Sequence, residues 1–170
     1  MQSLLTSGEY DPYYGVYIDK AANANVVKGL QQSKQKFIDF VNAISEEKFT
    51  YAYAEGKWTI AEVFQHIIDT ERIFSYRALR FARNDKSPLM GFDQDEYVPY
   101  SNANNYSKQE FIEDFEAVRN NSIALFKSFT EDMLSQIGEA SGSPMSTRAA
   151  GYILSGHQKH HLDVIKERYL

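Results

Sequence analysis

His157 and His161 stand four residues apart near the end of the chain, with His160 between them; the fourth histidine is His66. On a helix, the 100° step leaves residues i and i+4 about 40° apart and one turn apart in height, so the two imidazoles can share one ion. Helices use this spacing for paired metal ligands. His160 lies about 60° to the other side of His157 and could substitute as the partner, with poorer alignment. Ala150, Ile153 and Val164 fall within about 40° of His157, so the pair continues an apolar stripe that faces a core. Imidazoles placed there need polar partners. A third histidine from another core-facing helix would make a three-imidazole site, and three neutral nitrogens with one open position suit a catalytic ion rather than a structural one. Such an ion lowers the pKa of a bound water or thiol, or polarises a carbonyl. The competing reading is a polar helix end, because cationic histidines near a C-terminus also favour the helix dipole.

His66 sits differently. The apolar side of its helix centres near Ile60 and Ile67, and His66 lies about 90–100° from it, with Val63, Thr70, Ile73 and Arg77 on its flank. A histidine at the edge of a core, beside a hydroxyl and a cation, has the character of a pocket rim. Glu71 falls inside the apolar face among Phe64, Ile67 and Phe74, where a carboxylate needs a partner. The expected partner is an arginine such as Arg119 or Arg148. A role for Glu71 as general base is weaker, since it lies about 140° from His66 around the helix.

The elements that must position these residues are helical. Residues 1–15, with Gly8, Pro12 and Gly15, read as an irregular, tyrosine-rich lead-in; its cluster Tyr10, Tyr13, Tyr14 and Tyr17 could cover an apolar surface or meet a partner. From about Val16 to Ile44, the series Val26, Leu30, Phe37, Val41 and Ile44 fits one helical face. Thr59-Ile60-Ala61-Glu62 is a capping box that opens a second helix, running to about Arg83. A connection of Asn84 to Tyr106 follows, longer than the usual helix–helix link, which marks a crossover or a functional loop. A second capping box, Ser107-Lys108-Gln109-Glu110, opens a third helix with the stripe Phe111, Phe115, Val118, Ser122, Leu125 and Phe129. After a turn-rich stretch through Gly138 to Pro144, the last helix starts near Ser146. No strand-like alternation of any length appears. The expected fold class is all-α, a four-helix bundle forming one domain over 1–170.

Composition narrows the chemistry. The chain has 170 residues, 43% of them hydrophobic and none of them cysteine. Disulfides, thiolate metal sites and a thiol nucleophile of the protein's own are therefore excluded. A net charge of −5 without a basic cluster argues against nucleic acid. No apolar run approaches the roughly 18 residues a membrane span needs, and Met1 to Leu5 lacks the basic start and apolar stretch of a signal peptide; the expectation is a soluble, cytoplasmic protein. No Gly-rich phosphate loop or Gly-x-Ser-x-Gly elbow occurs. The acidic run Asp93–Glu96 lacks the glycine and glutamate spacing of a calcium loop.

The stretch Gly56-Lys57-Trp58-Thr59-Ile60-Ala61-Glu62-Val63-Phe64-Gln65-His66-Ile67-Ile68-Asp69-Thr70-Glu71 resembles the second-helix signature of the DinB-like, or YfiT-like, superfamily. Gly156-His157-Gln158-Lys159-His160-His161-Leu162 resembles its last-helix histidine motif, and Pro88 to Asp93 and Ala140 to Gly142 are similar to its linking pieces. The resemblance spans about residues 25–170. It implies a bundle of up-down-down-up connectivity with Asn84–Tyr106 as the crossover between the second and third helices. It further implies a divalent metal, nickel or zinc, on His66, His157 and His161, with His160 as the one departure that touches the ligand set. Homodimers are common in the group. Some of its members transfer or isomerise with a low-molecular-weight thiol, and others carry only the general description of metal-dependent hydrolase. The leading expectation is thus a metal-dependent enzyme that activates such a thiol for transfer to an electrophilic small molecule, with Thr70 and Arg77 orienting the substrate. The alternatives are a hydrolase that activates water at the same site, and a non-catalytic, stress-related binding bundle.

Overall fold

A computed structural model describes residues 5, 6 and 8–170; positions 1–4 and 7, which include most of the sequence at the start of the expected lead-in, lie outside the described residues. In chain order the elements are α1 (Gly15–Ile18), α2 (Val26–Ala43), α3 (Ile60–Ala82), α4 (Gln94–Tyr97), α5 (Lys108–Lys127), α6 (Glu131–Ser135), β1 (Ile137–Ala140), β2 (Ser143–Ser146) and α7 (Thr147–Arg168), with short 3-10 turns between some of them. The long helices α2, α3, α5 and α7 form the bundle. Both α2 and α3 pack against α5 and α7, so α2 faces α3, and α5 faces α7, across the diagonals. The connection between α3 and α5 carries the chain back to the start of α3, where Asn104 accepts from the Thr59 hydroxyl and donates to Glu62, so it is the crossover that the resemblance implies.

Both capping boxes form. The Thr59 hydroxyl accepts from Glu62 N while the Glu62 carboxylate accepts from Thr59 N, and Ser107 and Glu110 repeat the arrangement. The first expected helix divides in two. Asn23 Oδ1 accepts from Asn25 N, and Asn25 Oδ1 accepts from Lys28 N, so one asparagine holds a turn and the next caps α2. Side-chain acceptors of this kind compete with helix propagation, which is why Val16 and Val26 do not share one helix.

The hairpin β1–β2 departs from the all-helical expectation. Its strands are four residues each, too short for an alternating pattern to show, and they join through Ser141 (φ 55°) and Gly142 (φ 77°). Two successive positive φ values are the signature of a tight hairpin turn whose twist matches its strands. Leu89 in the crossover donates to Glu139 O and accepts from Ser141 N, so the connection runs along the hairpin. At Gly156 there is no room for a side chain: a Cβ there would lie 1.8 Å from Tyr17 O. Its absence lets α1 lie directly on α7, one residue from His157.

At the centre of the bundle Arg119 of α5 is fully buried. Its Nε and Nη2 each donate to Glu71 of α3 at 2.7 Å, Nη2 also to Gln158 of α7 at 2.9 Å, and Nη1 to Leu30 O and Ser33 Oγ of α2 at 3.1 and 2.5 Å. All five guanidinium donors are thereby used. Arg119 is the partner Glu71 requires. Arg148, the other arginine considered, instead holds Glu9 through Nε and Nη2 at 2.6 and 2.5 Å. Burial pushes Glu9 up, but hydrogen bonds from Arg148, Thr6 and Ser146 outweigh it and bring the carboxyl down to about 2. Both oxygens of Glu71 are committed to the guanidinium, and this removes it as a general base.

Removing one member of such a buried pair strands the other's charge, at a cost of about 3–5 kcal/mol, whereas replacing both with apolar residues is near neutral. Urea unfolding of Arg119→Met should accordingly show a loss of about 3–5 kcal/mol, partly recovered in Glu71→Leu/Arg119→Met, which buries no charge but still leaves Gln158 Oε1 without its donor. A loss below about 1 kcal/mol in the single variant would show that the pair does not hold the bundle.

Candidate metal centre

His66 lies two turns into α3, and His157 and His161 lie in the second half of α7. Because α3 and α7 pack as antiparallel neighbours, these positions meet at one end of the bundle. His157 Nε2 is 3.0 Å from His66 Nε2 and 3.0 Å from His161 Nε2, and ligand atoms of the three residues all fall within 4.8 Å of one another. His160 is outside this group; its ring packs edge-on to Tyr17 at 5.3 Å and to His161 at 5.0 Å.

The three nitrogens fit a cation better than they fit each other. Each ring nitrogen offers either one proton or one lone pair. His157 Nε2 cannot satisfy two nitrogens at 3.0 Å with one of either, whatever the tautomers. One ion taking three lone pairs satisfies all three, and tetrahedral zinc–nitrogen bonds of about 2.0–2.1 Å need nitrogens about 3.3 Å apart, close to the spacing present. Imidazole suits both zinc and nickel.

Electrostatics favours the neutral, ligating form. Burial pushes His66 down to about 4. Burial, then the neighbouring His161 and His66, holds His157 well below its ordinary value, and burial with His66 and His160 does the same for His161.

The cluster forms one wall of a cavity of about 270 Å3. Trp58, just before the α3 cap, stands 4.9 Å from the His66 ring and is fixed by its carbonyl, which accepts from Tyr169 Oη at 2.9 Å. Tyr17 packs edge-on against His157 at 5.2 Å, and burial raises its hydroxyl above the usual phenol range, with Tyr13 and Tyr14 adding to the effect. Thr70 and Arg77, both expected beside His66, also line the cavity. Thr70 Oγ1 is buried with no hydrogen-bond partner among the described residues.

Arg77 is 2% exposed. Its Nη2 donates to Met90 O at 3.0 Å and to Ser141 Oγ at 3.1 Å, and its guanidinium stacks 4.9 Å from the Phe74 ring centre. Burial lowers its pKa from the ordinary value, partly offset by the Tyr14 hydroxyl.

Among the lining residues that sequence reasoning did not place here are Tyr14, Tyr17, Trp58, Phe92 and Ser141. A usable signal existed for the tyrosines: Asp11 caps a turn beginning at Pro12, and Tyr14 and Tyr17 follow at the i, i+3 spacing of one helical face.

The DinB superfamily profile matches residues 30–165. The chain belongs to the DinB superfamily. Within it, the chain is 27% identical over 143 residues to an Oceanobacillus iheyensis protein named "putative metal-dependent hydrolase", covering 82% of this chain and 81% of that one. The fold is also that of YfiT from Bacillus subtilis, described as "a probable metal-dependent hydrolase with an unusual four-helix bundle topology": TM-score 0.74, 15% identity, 95% of this chain and 92% of the other. Superfamily membership and the likeness to YfiT agree with the four-helix bundle described above.

The depressed histidines set a pH dependence for the metal-free protein. With a folded pKa below the unfolded value of 6.5, each histidine stays neutral while the unfolded chain takes up a proton. Stability is complete above 6.5 and is lost as pH falls toward 4, by about 1.4 kcal/mol per pH unit for each histidine that stays neutral. Chelator-treated protein unfolded in urea at pH 7, 6 and 5 should show this decline, and His66→Phe should flatten it. A midpoint unchanged between pH 7 and 5 would contradict the buried, neutral cluster.

Proposed function

We propose that His66, His157 and His161 hold one divalent cation, nickel or zinc, and that the protein is a metal-dependent enzyme directing a small nucleophile at a small-molecule substrate in the adjoining cavity. The convergence of three neutral imidazole nitrogens on the wall of that cavity carries the reading. A cation bound there supplies Lewis acidity, lowering the pKa of a water or thiol and polarising a carbonyl. The imidazoles bind through lone pairs that burial keeps free of protons. Trp58 and Tyr17 flank the nitrogens and limit water on two sides, and Thr70 and Arg77 orient the substrate.

Hydrolysis, with water as nucleophile, is the reading favoured by the descriptions of the Oceanobacillus and Bacillus relatives. Transfer of a low-molecular-weight thiol is the second reading. It is supported by the size of the cavity, about 270 Å3, which accommodates a nucleophile larger than water. With no cysteine in the chain, that thiol would come from a cosubstrate.

Elemental analysis of untagged protein, purified without chelator or a nickel column, should find about one nickel or zinc per chain. His157→Ala should lose it, and His160→Ala should keep it. Changes to groups that only support ligands already cost about 10–100-fold in affinity or activity, so loss of a ligand should exceed that. Metal-loaded protein should then cleave members of an ester and amide panel, or accelerate the reaction of bacillithiol, glutathione or cysteine with monobromobimane. Protein that stays empty when offered metal, or turnover that survives in His157→Ala, would overturn the proposal in favour of a non-catalytic bundle.

A further inference from the structure

Two arginines are among the largest fully buried side chains of the molecule, and they are treated in opposite ways. Arg119 has the Glu71 carboxylate and uses every donor. Arg77 has no ion pair among the described residues: both of its hydrogen bonds leave from Nη2 and end on the uncharged Met90 O and Ser141 Oγ. The guanidinium's other neighbours among the described residues are the Phe74 and Phe92 rings and the Tyr14 hydroxyl, none of them an anion. A buried cation without a counter-charge is costly, and this one lines the same cavity as the three histidines.

A second observation points the same way. Thr70, 3% exposed, has an unpartnered hydroxyl and lines that cavity between His66 and Arg77. His66, Thr70 and Arg77 follow at i, i+4 and i+11, so they lie along one strip of α3, about 6 Å and 16 Å along the helix axis from the histidine.

We infer that the cavity takes a substrate carrying one carboxylate, which Arg77 binds and Thr70 supports by hydrogen bonding, with the reacting group toward the histidines. This rests on the proposed function for the location of the reacting group and adds the substrate's charge. With Nη2 committed to Met90 O and Ser141 Oγ, the donors at Nε and Nη1 remain to give a carboxylate a charge-assisted hydrogen bond. At the Arg77 end of the cavity a single positive charge matches the single negative charge of a carboxylate, whereas phosphate at neutral pH would bring up to two. The volume, at the low end for ligand sites, fits a small molecule rather than a polymer.

The test is calorimetric titration of the full chain in its metal-free form, so that a carboxylate cannot be read through coordination to the ion. Butyrate and phenylacetate are each compared with the corresponding amide, alongside inorganic phosphate. At least one acid should bind about 10- to 100-fold tighter than its amide, the range expected of a charge-assisted hydrogen bond. Arg77→Met should abolish the difference, Arg77→Lys should retain part of it, and Thr70→Val should weaken acid binding several-fold. Acid and amide binding alike, neither acid binding at all, phosphate binding tighter than both acids, or a folded Arg77→Met that keeps the preference would each overturn the inference. Should Arg77→Met not fold, the acid–amide comparison on the unaltered chain and on Thr70→Val decides. Metal content, measured separately, keeps the fate of the histidine site distinct from that of the carboxylate site.

Discussion

A single guanidinium holds the four long helices in register. Arg119 reaches Glu71 on α3, Gln158 on α7, and Leu30 and Ser33 on α2, and Gln158 in turn donates to Ser33 O at 2.8 Å. An apolar core alone tolerates small slides between helices, because one methyl contact substitutes for another. A network in which each donor has one acceptor does not, since any slide leaves a buried polar group unmet. Glu71 and Gln158 each directly follow a residue of the cavity, Thr70 and His157. The contacts that fix α3 against α7 therefore also fix His66 against His157, where the nitrogens must meet to within tenths of an ångström.

The same two helices consequently carry two unlike polar environments, separated by one step of about 100°. The side facing α2 and α5 is closed, with every charge matched inside the protein. The side facing the cavity is left unsatisfied at three kinds of group: imidazole nitrogens crowded on one another, a hydroxyl without a partner, and a cation without an anion. Buried polar groups in folded proteins are ordinarily satisfied. A concentration of exceptions along one wall, beside a complete network on the other, separates what the chain keeps for its own stability from what it leaves for a ligand.

The bundle was legible in the sequence because its signals are local. Thr59 with Glu62, and Ser107 with Glu110, announce helix starts three residues at a time, and stripes such as Phe111, Phe115, Val118 announce which face goes inward. Glu71 could be recognised as needing an arginine, but choosing Arg119 over Arg148 required knowing that Glu9 folds back to claim the latter. The histidine pair on α7 followed from its spacing, while the placement of His66 opposite it rested on family resemblance, since nothing within one helix specifies its neighbour. The place of the N-terminal tyrosines in the cavity, and the hairpin, were harder to read for a common reason. A one-turn helix and two four-residue strands span barely one or two periods of their patterns, and they take their positions from tertiary contacts such as the approach of α1 to Gly156.

The cavity's walls come from different sources. Its histidines, Thr70 and Arg77 belong to long helices locked by the core, but Tyr14 and Tyr17 come from the N-terminal turn, Phe92 from the crossover and Ser141 from the hairpin tip. These three segments are separate in sequence, and none contributes a donor to the Arg119 network. The architecture thus divides into a floor fixed by the packed core and a ceiling built from short connecting segments. Lengthening, shortening or repainting those three stretches would change what the cavity accepts without disturbing the helices beneath.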